Sequence, residues 1–139
     1  MVNRLVTYVD SSILIYAATR SSAQTFALKM RALQILNNKK RKFVASQFLR
    51  LEVLPIAKCY GKNREIRFYE AFFAGVELWS PDSDLISPAF DLACKYGLGA
   101  FDALHICAAK YFDAEFISAE RPTKPIYRAY SNISSIYDD

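Results

Sequence analysis

The sequence predicts an α/β fold with three layers, in which helices cover both faces of a central, mostly parallel β-sheet. Short apolar stretches alternate with amphipathic stretches of helical period along the 139 residues, as expected for consecutive β–α units. Residues 5–9 are apolar apart from Thr7 and do not alternate with polar residues, which indicates a strand buried on both faces. No repeat, low-complexity tract or linker divides the chain, so we expect one domain over residues 1–139.

The composition is that of a folded cytoplasmic protein. Hydrophobic residues make up 53% of the chain and charged residues 23%, which excludes disorder. No apolar run reaches transmembrane length and no signal-peptide pattern opens the chain, so we expect no membrane association. Cys59, Cys94 and Cys107 are widely spaced in apolar helical patterns and are expected to be reduced core thiols. The net charge of +4 fits a polyanionic partner.

In the first half of the chain, we expect two strands and three helices. The strands cover residues 5–9 and 43–45, and the helices cover residues 12–17, 21–38 and 47–60. The basic run of residues 39–42 is typical of a solvated turn, with phosphate contact as the alternative. Pro55 removes an amide donor from the third helix, so we expect that helix to bend there or to start again beyond it.

In the second half, we expect three further helices and three short strands. The helices cover residues 64–76, 80–96 and 100–112, and the strands cover residues 78–79, 115–118 and 132–137. Gly97 is expected to end the second of these helices. The helix over residues 64–76 carries four aromatic residues, Phe68, Tyr69, Phe72 and Phe73. They predict core packing or a dimer face.

Asp10 and Glu120 each follow the carboxyl end of a predicted strand, where open α/β sheets keep their binding sites. Asp10 comes directly after residues 5–9, and Glu120 follows residues 116–118 after one alanine. Each has a structural alternative. Asp10 or Ser11 can cap the next helix, and Glu120 can form a surface ion pair with its neighbour in sequence, which contributes little to stability.

Glu52 and Asp102 are carboxylates on predicted apolar helices. Glu52 projects from a stripe that includes Leu49 and Ile56, so its burial is costly unless an arginine or a metal ion meets it. Asp102 lies in the first turn of its helix, where an acid also complements the helix dipole. His105, the only histidine, is expected to be a hydrogen-bonded core residue rather than a ligand.

Taken together, the four carboxylates indicate a cation site. Acids from separate elements can cluster only if a cation offsets their repulsion, and carboxylate oxygens are the ligands that Mg²⁺ and Mn²⁺ prefer. No Cys/His ligand spacing, glycine-rich phosphate loop or Ser-His-Asp set competes with this interpretation. The residues therefore favour a hard divalent cation held by Asp10, Glu52, Asp102 and Glu120.

Four segments resemble, in chain order, the acidic motifs of PIN-domain nucleases, with the VapC-type toxins of toxin–antitoxin pairs as the nearest branch. They are residues 9–16, 51–54, 101–105 and 117–120, so the resemblance spans nearly the whole chain. In the fourth segment, family members usually carry Thr-x-Asp. This chain has Ser118-Ala119-Glu120 and then a basic, proline-rich turn.

The resemblance implies a three-layer PIN-like domain that acts as a Mg²⁺- or Mn²⁺-dependent endoribonuclease. It implies that the acids at the four metal positions are catalytic: Asp10, Glu52, Asp102 and Glu120. Ser11, Ser12 and Ser118 would support these acids or hold water. The resemblance also implies a homodimer, and inhibition by an antitoxin that places a basic side chain near the acids.

RNA phosphates are expected to contact two basic segments, which are Lys39, Lys40, Arg41 and Lys42 in the first and Arg121, Lys124 and Arg128 in the second. Two alternatives stand beside the ribonuclease. The altered fourth motif suggests a PIN-fold module that binds RNA or regulates but cleaves poorly. A DNA nuclease would use the same chemistry, because nothing in the sequence identifies a group that reads the 2′-hydroxyl.

Overall fold

The computed structural model describes residues 4–137, which form a five-stranded sheet with helices on both faces. The strands, numbered along the chain, are β1 (Leu5–Val9), β2 (Arg41–Ala45), β3 (Leu78–Trp79), β4 (Glu115–Ser118) and β5 (Ile133–Ser135). Their order across the sheet is β3-β2-β1-β4-β5, and all four pairings between neighbours are parallel. The three-layer α/β/α fold is thereby confirmed.

Seven α-helices are present in the described part of the chain. They are α1 (Ser11–Ala18), α2 (Phe26–Leu36), α3 (Gln47–Cys59), α4 (Asn63–Ala74), α5 (Ile86–Tyr96), α6 (Ala100–Tyr111) and α7 (Ile126–Ala129), and a 3-10 turn over Asp82–Leu85 precedes α5. Gly97 ends α5 with a φ of 67°, a left-handed conformation that glycine adopts without steric cost. The prediction that Gly97 stops this helix is confirmed.

The region between α1 and β2 differs from the sequence prediction in two places. Helix α2 begins at Phe26 rather than at residue 21, because Ser22 and Thr25 hydrogen-bond each other's backbone amides over 2.9 and 3.3 Å. Such local bonds compete with helical ones. The basic run is not wholly a turn, since Arg41 and Lys42 belong to β2 and pair with β1.

Helix α3 continues through Pro55 without restarting. Pro55 lies on the exposed side of the helix, whereas Leu49, Val53 and Ala57 on the other side are buried in the core. Burial of this apolar face stabilises the helix more than the loss of one solvent-facing hydrogen bond destabilises it.

The aromatic residues of α4 pack in the core, as the first of the two sequence alternatives expected. Tyr69 and Phe73 are buried, while Phe68 and Phe72 are half-buried and pack against the core.

All three cysteines are free. Cys107 is buried on α6, whereas Cys59 and Cys94 are exposed. The prediction of core thiols is therefore correct for Cys107 and wrong for the other two, which lie on the solvent-facing sides of α3 and α5.

Because the strands are parallel, the chain leaves each of them at the same edge of the sheet. Asp10 follows β1, Ser46 follows β2 and Glu120 lies two residues beyond β4. None of the helices within residues 4–137 is long and apolar enough to cross a membrane. Residues 1–3 and 138–139 lie outside the described residues, and the domain boundaries 1–139 stay a prediction.

Candidate active site

Asp10 is the N-cap of α1 and lies at the centre of the carboxyl edge. Its Oδ1 accepts hydrogen bonds from the amides of Ser12 at 3.1 Å and Ile13 at 3.4 Å, and a very short one from the Ser12 hydroxyl. Its Oδ2 accepts only the Ser118 hydroxyl, at 2.6 Å. The capping alternative is therefore correct. It does not exclude a site, because a carboxylate oxygen has two lone pairs and Oδ2 uses one.

The Asp10 side chain is almost fully buried, with 4% of its surface exposed. Burial raises the pKa of the Asp10 carboxyl, against the hydrogen bonds from Ser118 and Ser12 and the charge of His105 when that ring is protonated. A carboxylate in this position either takes up a proton or is stabilised in its ionised form by hydrogen-bond donors or a cation.

Glu52 projects from α3 with 29% of its side chain exposed, and its Oε1 lies 2.7 Å from Nε2 of His105. His105, rather than the arginine considered from the sequence, is its side-chain partner. Burial alone would raise the pKa of Glu52. The hydrogen bond from His105, the charge of that ring when it is protonated and a hydrogen bond from Ser11 together outweigh burial and lower that pKa overall.

His105 continues into a buried hydrogen-bonded chain that sequence reasoning did not find. Its Nδ1 lies 2.7 Å from the Tyr8 hydroxyl, which lies 2.8 Å from the hydroxyl of Ser46. All three side chains are at most 1% exposed. One signal was present in the sequence, because a tyrosine in a buried strand and a histidine on an apolar helix must both find polar partners.

Asp102 lies in the first turn of α6, as predicted, and is half-buried. Burial is the largest influence on its carboxyl and raises its pKa. The negative charges of Glu120 and Glu52 raise that pKa further, whereas His105 and Lys124 lower it. Two other predicted acids therefore act on Asp102 electrostatically, and a cation near Asp102 would relieve this repulsion.

Glu120 is half-buried at the end of the turn after β4, and its backbone holds it in place. Its amide donates to the Ser118 hydroxyl at 3.0 Å, and its carbonyl accepts from Tyr127 at 2.5 Å and from Ser135 at 3.1 Å. The surface ion pair with Arg121, which was the structural alternative for Glu120, is not among the ion pairs of the described residues. Arg121 instead lies over the Tyr137 ring, with 5.0 Å to its centroid.

The three predicted supporting serines all contact the acids. Ser12 and Ser118 donate to Asp10, and Ser11 hydrogen-bonds Glu52. Ser12 also accepts the amide of Ala119 at 3.0 Å, which ties α1 to the turn that carries Glu120. These contacts orient the carboxylates of Asp10 and Glu52 and position the turn that carries Glu120.

The two basic segments lie at opposite ends of the sheet. Lys124 is close enough to Asp102 to affect its pKa, whereas Arg41 pairs with Leu5 at the start of β1, about 16 Å along the strand from Asp10. Arg41 donates to Thr7 at 2.9 Å and to Glu115 at 2.7 Å. Of the seven predicted phosphate-binding residues, the structure thus shows Lys124 near the acids.

The donor chemistry fits a hard divalent cation, because the four predicted ligands offer only carboxylate oxygens. Their spacing is wider than such an ion needs. Within residues 4–137, no three His, Cys, Asp or Glu side chains lie close enough together to enclose a metal ion.

The PIN domain family model matches residues 7–124, which include Asp10, Glu52, Asp102 and Glu120. The chain belongs to the PIN domain family. This family consists generally of nucleases, and the resemblance drawn from the sequence is thereby confirmed.

Solved structures of toxin–antitoxin proteins share the fold. A toxin–antitoxin complex from Klebsiella pneumoniae is 20% identical, with a TM-score of 0.68 over 96% of this PIN chain and 99% of that chain. VapBC2 from Rickettsia felis, bound to a DNA fragment from its promoter, is 14% identical with a TM-score of 0.63, covering 94% and 98%. VapBC-1 from nontypeable Haemophilus influenzae is 16% identical with a TM-score of 0.62, covering 94% and 96%. No curated protein matches this PIN chain in sequence.

Proposed function

We propose that this PIN-domain protein is an endoribonuclease that hydrolyses RNA phosphodiester bonds with the help of Mg²⁺ or Mn²⁺. The observation that carries the proposal is that Asp102, close enough to Glu52 and Glu120 for their charges to raise its pKa, lies with the buried Asp10 at the carboxyl edge of a parallel sheet. Acids in this arrangement oppose folding, and binding of a divalent cation is the simplest function that offsets the cost.

In this proposal, Asp10, Glu52, Asp102 and Glu120 hold the ion. When bound, the ion would lower the pKa of its water and offset charge on the leaving oxygen. The chain's own residues orient the acids: Ser12 and Ser118 hold Asp10, and His105 holds Glu52. Lys124, Arg121 and Arg128 are proposed to bind phosphates of the substrate, and Lys124 is supported by its proximity to Asp102.

The deciding experiment incubates purified wild-type protein with mixed RNAs, with Mg²⁺, Mn²⁺ or chelator, beside Asp10→Asn. Asparagine caps a helix about as well as aspartate, so this variant keeps the α1 cap and loses the charge. We expect cleavage only with a cation, and a loss of at least about a hundredfold in Asp10→Asn. Asp91→Asn, at an exposed acid of α5, is the matched control. Cleavage by Asp10→Asn at the wild-type rate would refute the proposal.

The second candidate is a PIN-fold module that binds RNA or regulates and cleaves poorly. It is supported by the glutamate at position 120 and by the wide spacing of the acids in the described residues. The same assay separates the two functions, because a binding module retains RNA without shortening it in either cation. A DNA strand of the same sequence in a parallel reaction reports whether the sugar is read.

We further propose an antitoxin and a second copy of the chain as protein partners. The neighbours from Klebsiella and Haemophilus support the antitoxin. So does a groove of about 200 Å³ beside Glu52, where Ile56 and Tyr60 are 64% and 72% exposed. Phe90, 71% exposed on α5, supports a dimer, since large exposed apolar side chains mark interfaces.

Two measurements test these partners. Ile56→Glu should weaken inhibition by a small protein encoded beside this one, and Phe90→Glu should lower the mass measured by light scattering to that of a monomer. A wild-type monomer would remove the proposed dimer, and unchanged inhibition of Ile56→Glu would show that the antitoxin does not bind in this groove.

A further inference from the structure

A continuous chain of hydrogen bonds joins the N-terminus of α3 to the Glu52 carboxylate. The Leu49 amide lies 3.3 Å from Oγ of Ser46, which contacts the Tyr8 hydroxyl at 2.8 Å. The Tyr8 hydroxyl contacts Nδ1 of His105 at 2.7 Å, and Nε2 of that ring contacts Glu52 at 2.7 Å. The chain thus links β1, the end of β2, α3 and α6 through side chains that are distant in sequence.

The direction of this chain follows from counting donors and acceptors. The Leu49 amide can only donate, so Ser46 accepts from it. Among the described residues, Tyr8 is then the one acceptor within reach of the Ser46 proton. Tyr8, having accepted that proton, gives its own to Nδ1 of His105. Buried polar groups without a partner are costly, and the reverse direction would leave the Ser46 proton without an acceptor.

The same count of donors and acceptors determines which nitrogen of the His105 ring carries the proton. Nδ1 accepts from Tyr8 and carries no proton, so Nε2 carries the ring proton and donates it to Oε1 of Glu52. The ring cannot easily turn away, because it is 1% exposed and packs between Tyr8, with centroids 5.6 Å apart, and Phe101, at 6.1 Å.

We propose that His105, which the Tyr8 hydroxyl holds in its Nε2–H form, is the positioning residue of Glu52. Its hydrogen bond fixes a side chain that would otherwise be flexible and leaves Oε2 of Glu52 to act in the site. The inference deepens the proposed nuclease function and rests on it. Three torsions of Glu52 would otherwise be free. A side chain that fixes an acid near the reacting groups typically changes affinity or activity about 10–100-fold when it is lost.

Two substitutions of His105 separate positioning from simple core packing. In His105→Gln, the amide nitrogen reaches about as far as Nε2, so it can still donate to Glu52. In His105→Asn, the amide reaches only as far as Nδ1, so it can keep Tyr8 and lose Glu52. We expect His105→Asn to lower kcat/KM at least about tenfold and His105→Gln to stay within about threefold of wild type, at similar melting temperatures. Equal losses in both variants, in proportion to lost stability, would overturn the positioning role.

A second readout needs neither metal nor activity. His105 is the only histidine, so the ring nitrogens of a tag-free, ¹⁵N-labelled protein give a single pair of NMR signals. In chelator, we expect the pattern of a protonated Nε2 and an unprotonated Nδ1. Tyr8→Phe removes the donor to Nδ1 and should shift that signal and lower kcat/KM. A protonated Nδ1 in wild type, or a Tyr8→Phe ring indistinguishable from wild type, would overturn the proposed chain.

The activity assay and the ring signals can contradict the nuclease function and the positioning role separately. If the wild type cleaves no RNA with any cation, the proposed nuclease function fails, and the ring signals still decide whether Tyr8 and His105 hold Glu52. If the wild type is active and His105→Asn is equally active, the positioning role fails while the nuclease function stands.

Discussion

At the scale of single residues, the four acids sit in different surroundings, and these determine what each contributes. Asp10 is buried and fully supported by donors, Glu52 is held by His105, and Asp102 faces two like charges. Glu120 is fixed by its backbone rather than by its carboxylate. Substitutions at these positions should therefore have different consequences.

Asp102→Asn should raise the melting temperature of the metal-free protein. The pKa of Asp102 is raised, first by burial and then by Glu120 and Glu52, so the ionised form weakens folding once the pH exceeds the ordinary value of 3.8. Removing the charge should add a few degrees, about 2–4 °C, in chelator at pH 7, and the gain should shrink towards pH 3. Mg²⁺ or Mn²⁺ should stabilise the wild type more than the variant. A destabilised variant would show that Asp102 acts mainly on the helix dipole.

Glu120→Gln should cost less activity than Asp10→Asn, and the loss should be smaller in Mn²⁺ than in Mg²⁺. Glutamate is one methylene longer than the aspartate usual in the family, and Mg²⁺ demands stricter octahedral geometry. Glu120→Asp should keep or improve activity. Titration of Mn²⁺ against wild type and Glu120→Gln measures the affinity and the rate. Identical values would remove Glu120 from the site.

At the scale of elements, a hydrogen-bonded cluster links the strands of the sheet at a distance from the acids. This cluster, which we call the clasp, consists of Arg41, Thr7, Glu115 and Ser134. Arg41 of β2 donates to Thr7 of β1 and to Glu115 of β4, and Ser134 of β5 donates to Glu115 at 2.7 Å. One guanidinium and one carboxylate thus connect four strands. The ion pair is largely buried, with side chains 15% and 25% exposed, so solvent screens it less than a surface pair.

The clasp predicts a dependence of stability on pH. Burial alone would raise the pKa of Glu115. The hydrogen bonds from Arg41 and Ser134 and the Arg41 charge outweigh it, so the pKa is lowered from 4.5. The stabilisation is therefore complete above about pH 4.5 and is lost as the pH falls through the lower folded-state value. Glu115→Gln should reduce the free energy of unfolding by about 1–3 kcal/mol at pH 7, with a smaller difference below pH 4.

Urea denaturation at several pH values measures this difference. Glu77→Gln is the matched control, because Glu77 forms an exposed pair with Arg4 and should give no measurable change. Equal effects at Glu115 and Glu77, or a difference at Glu115 that does not depend on pH, would contradict the role of the clasp.

At the scale of the whole molecule, the two ends of the parallel sheet carry different chemistry. The acids and Lys124 lie at the carboxyl edge, whereas Lys39 and Lys40 are exposed just before β2, at the amino edge. A substrate phosphate at the acids would therefore be far from the lysines at the amino edge. RNA binding should therefore depend on the basic residues at the carboxyl edge and not on Lys39 and Lys40.

Replacing Arg121 and Lys124 by alanine removes two proposed phosphate contacts. It should weaken RNA binding and flatten its dependence on salt by about 1.4 units in log K against log salt concentration for a single strand. Lys39→Ala with Lys40→Ala, which removes the same charge at the amino edge, should change neither value by as much. Binding is measured by fluorescence anisotropy at several salt concentrations in the presence of chelator. A larger effect from the lysine pair would place the RNA on the other end of the sheet.

Local sequence determined most of the elements and the four acid positions. The unbroken apolar run of β1, the helical stripes and the stop at Gly97 are patterns of neighbouring residues, and short-range physics suffices for them. For the same reason, Asp10 at a strand end and Asp102 in a first helical turn were recognisable. Where a local bond competed, as at Ser22 with Thr25, the predicted start of the helix was wrong, and at Pro55 tertiary packing kept the helix from restarting.

Only the tertiary structure decided which side chains meet. Tyr8 and His105 are 97 residues apart, and Glu52 and His105 are 53 residues apart, so no spacing along the chain indicates that these groups form one hydrogen-bonded chain. The structural partner predicted for Glu52 was an arginine, and the fold places the single histidine there instead. The reason is physical: a buried polar group is satisfied by whatever donor the packing of distant elements brings within about 3 Å, and that depends on the whole fold.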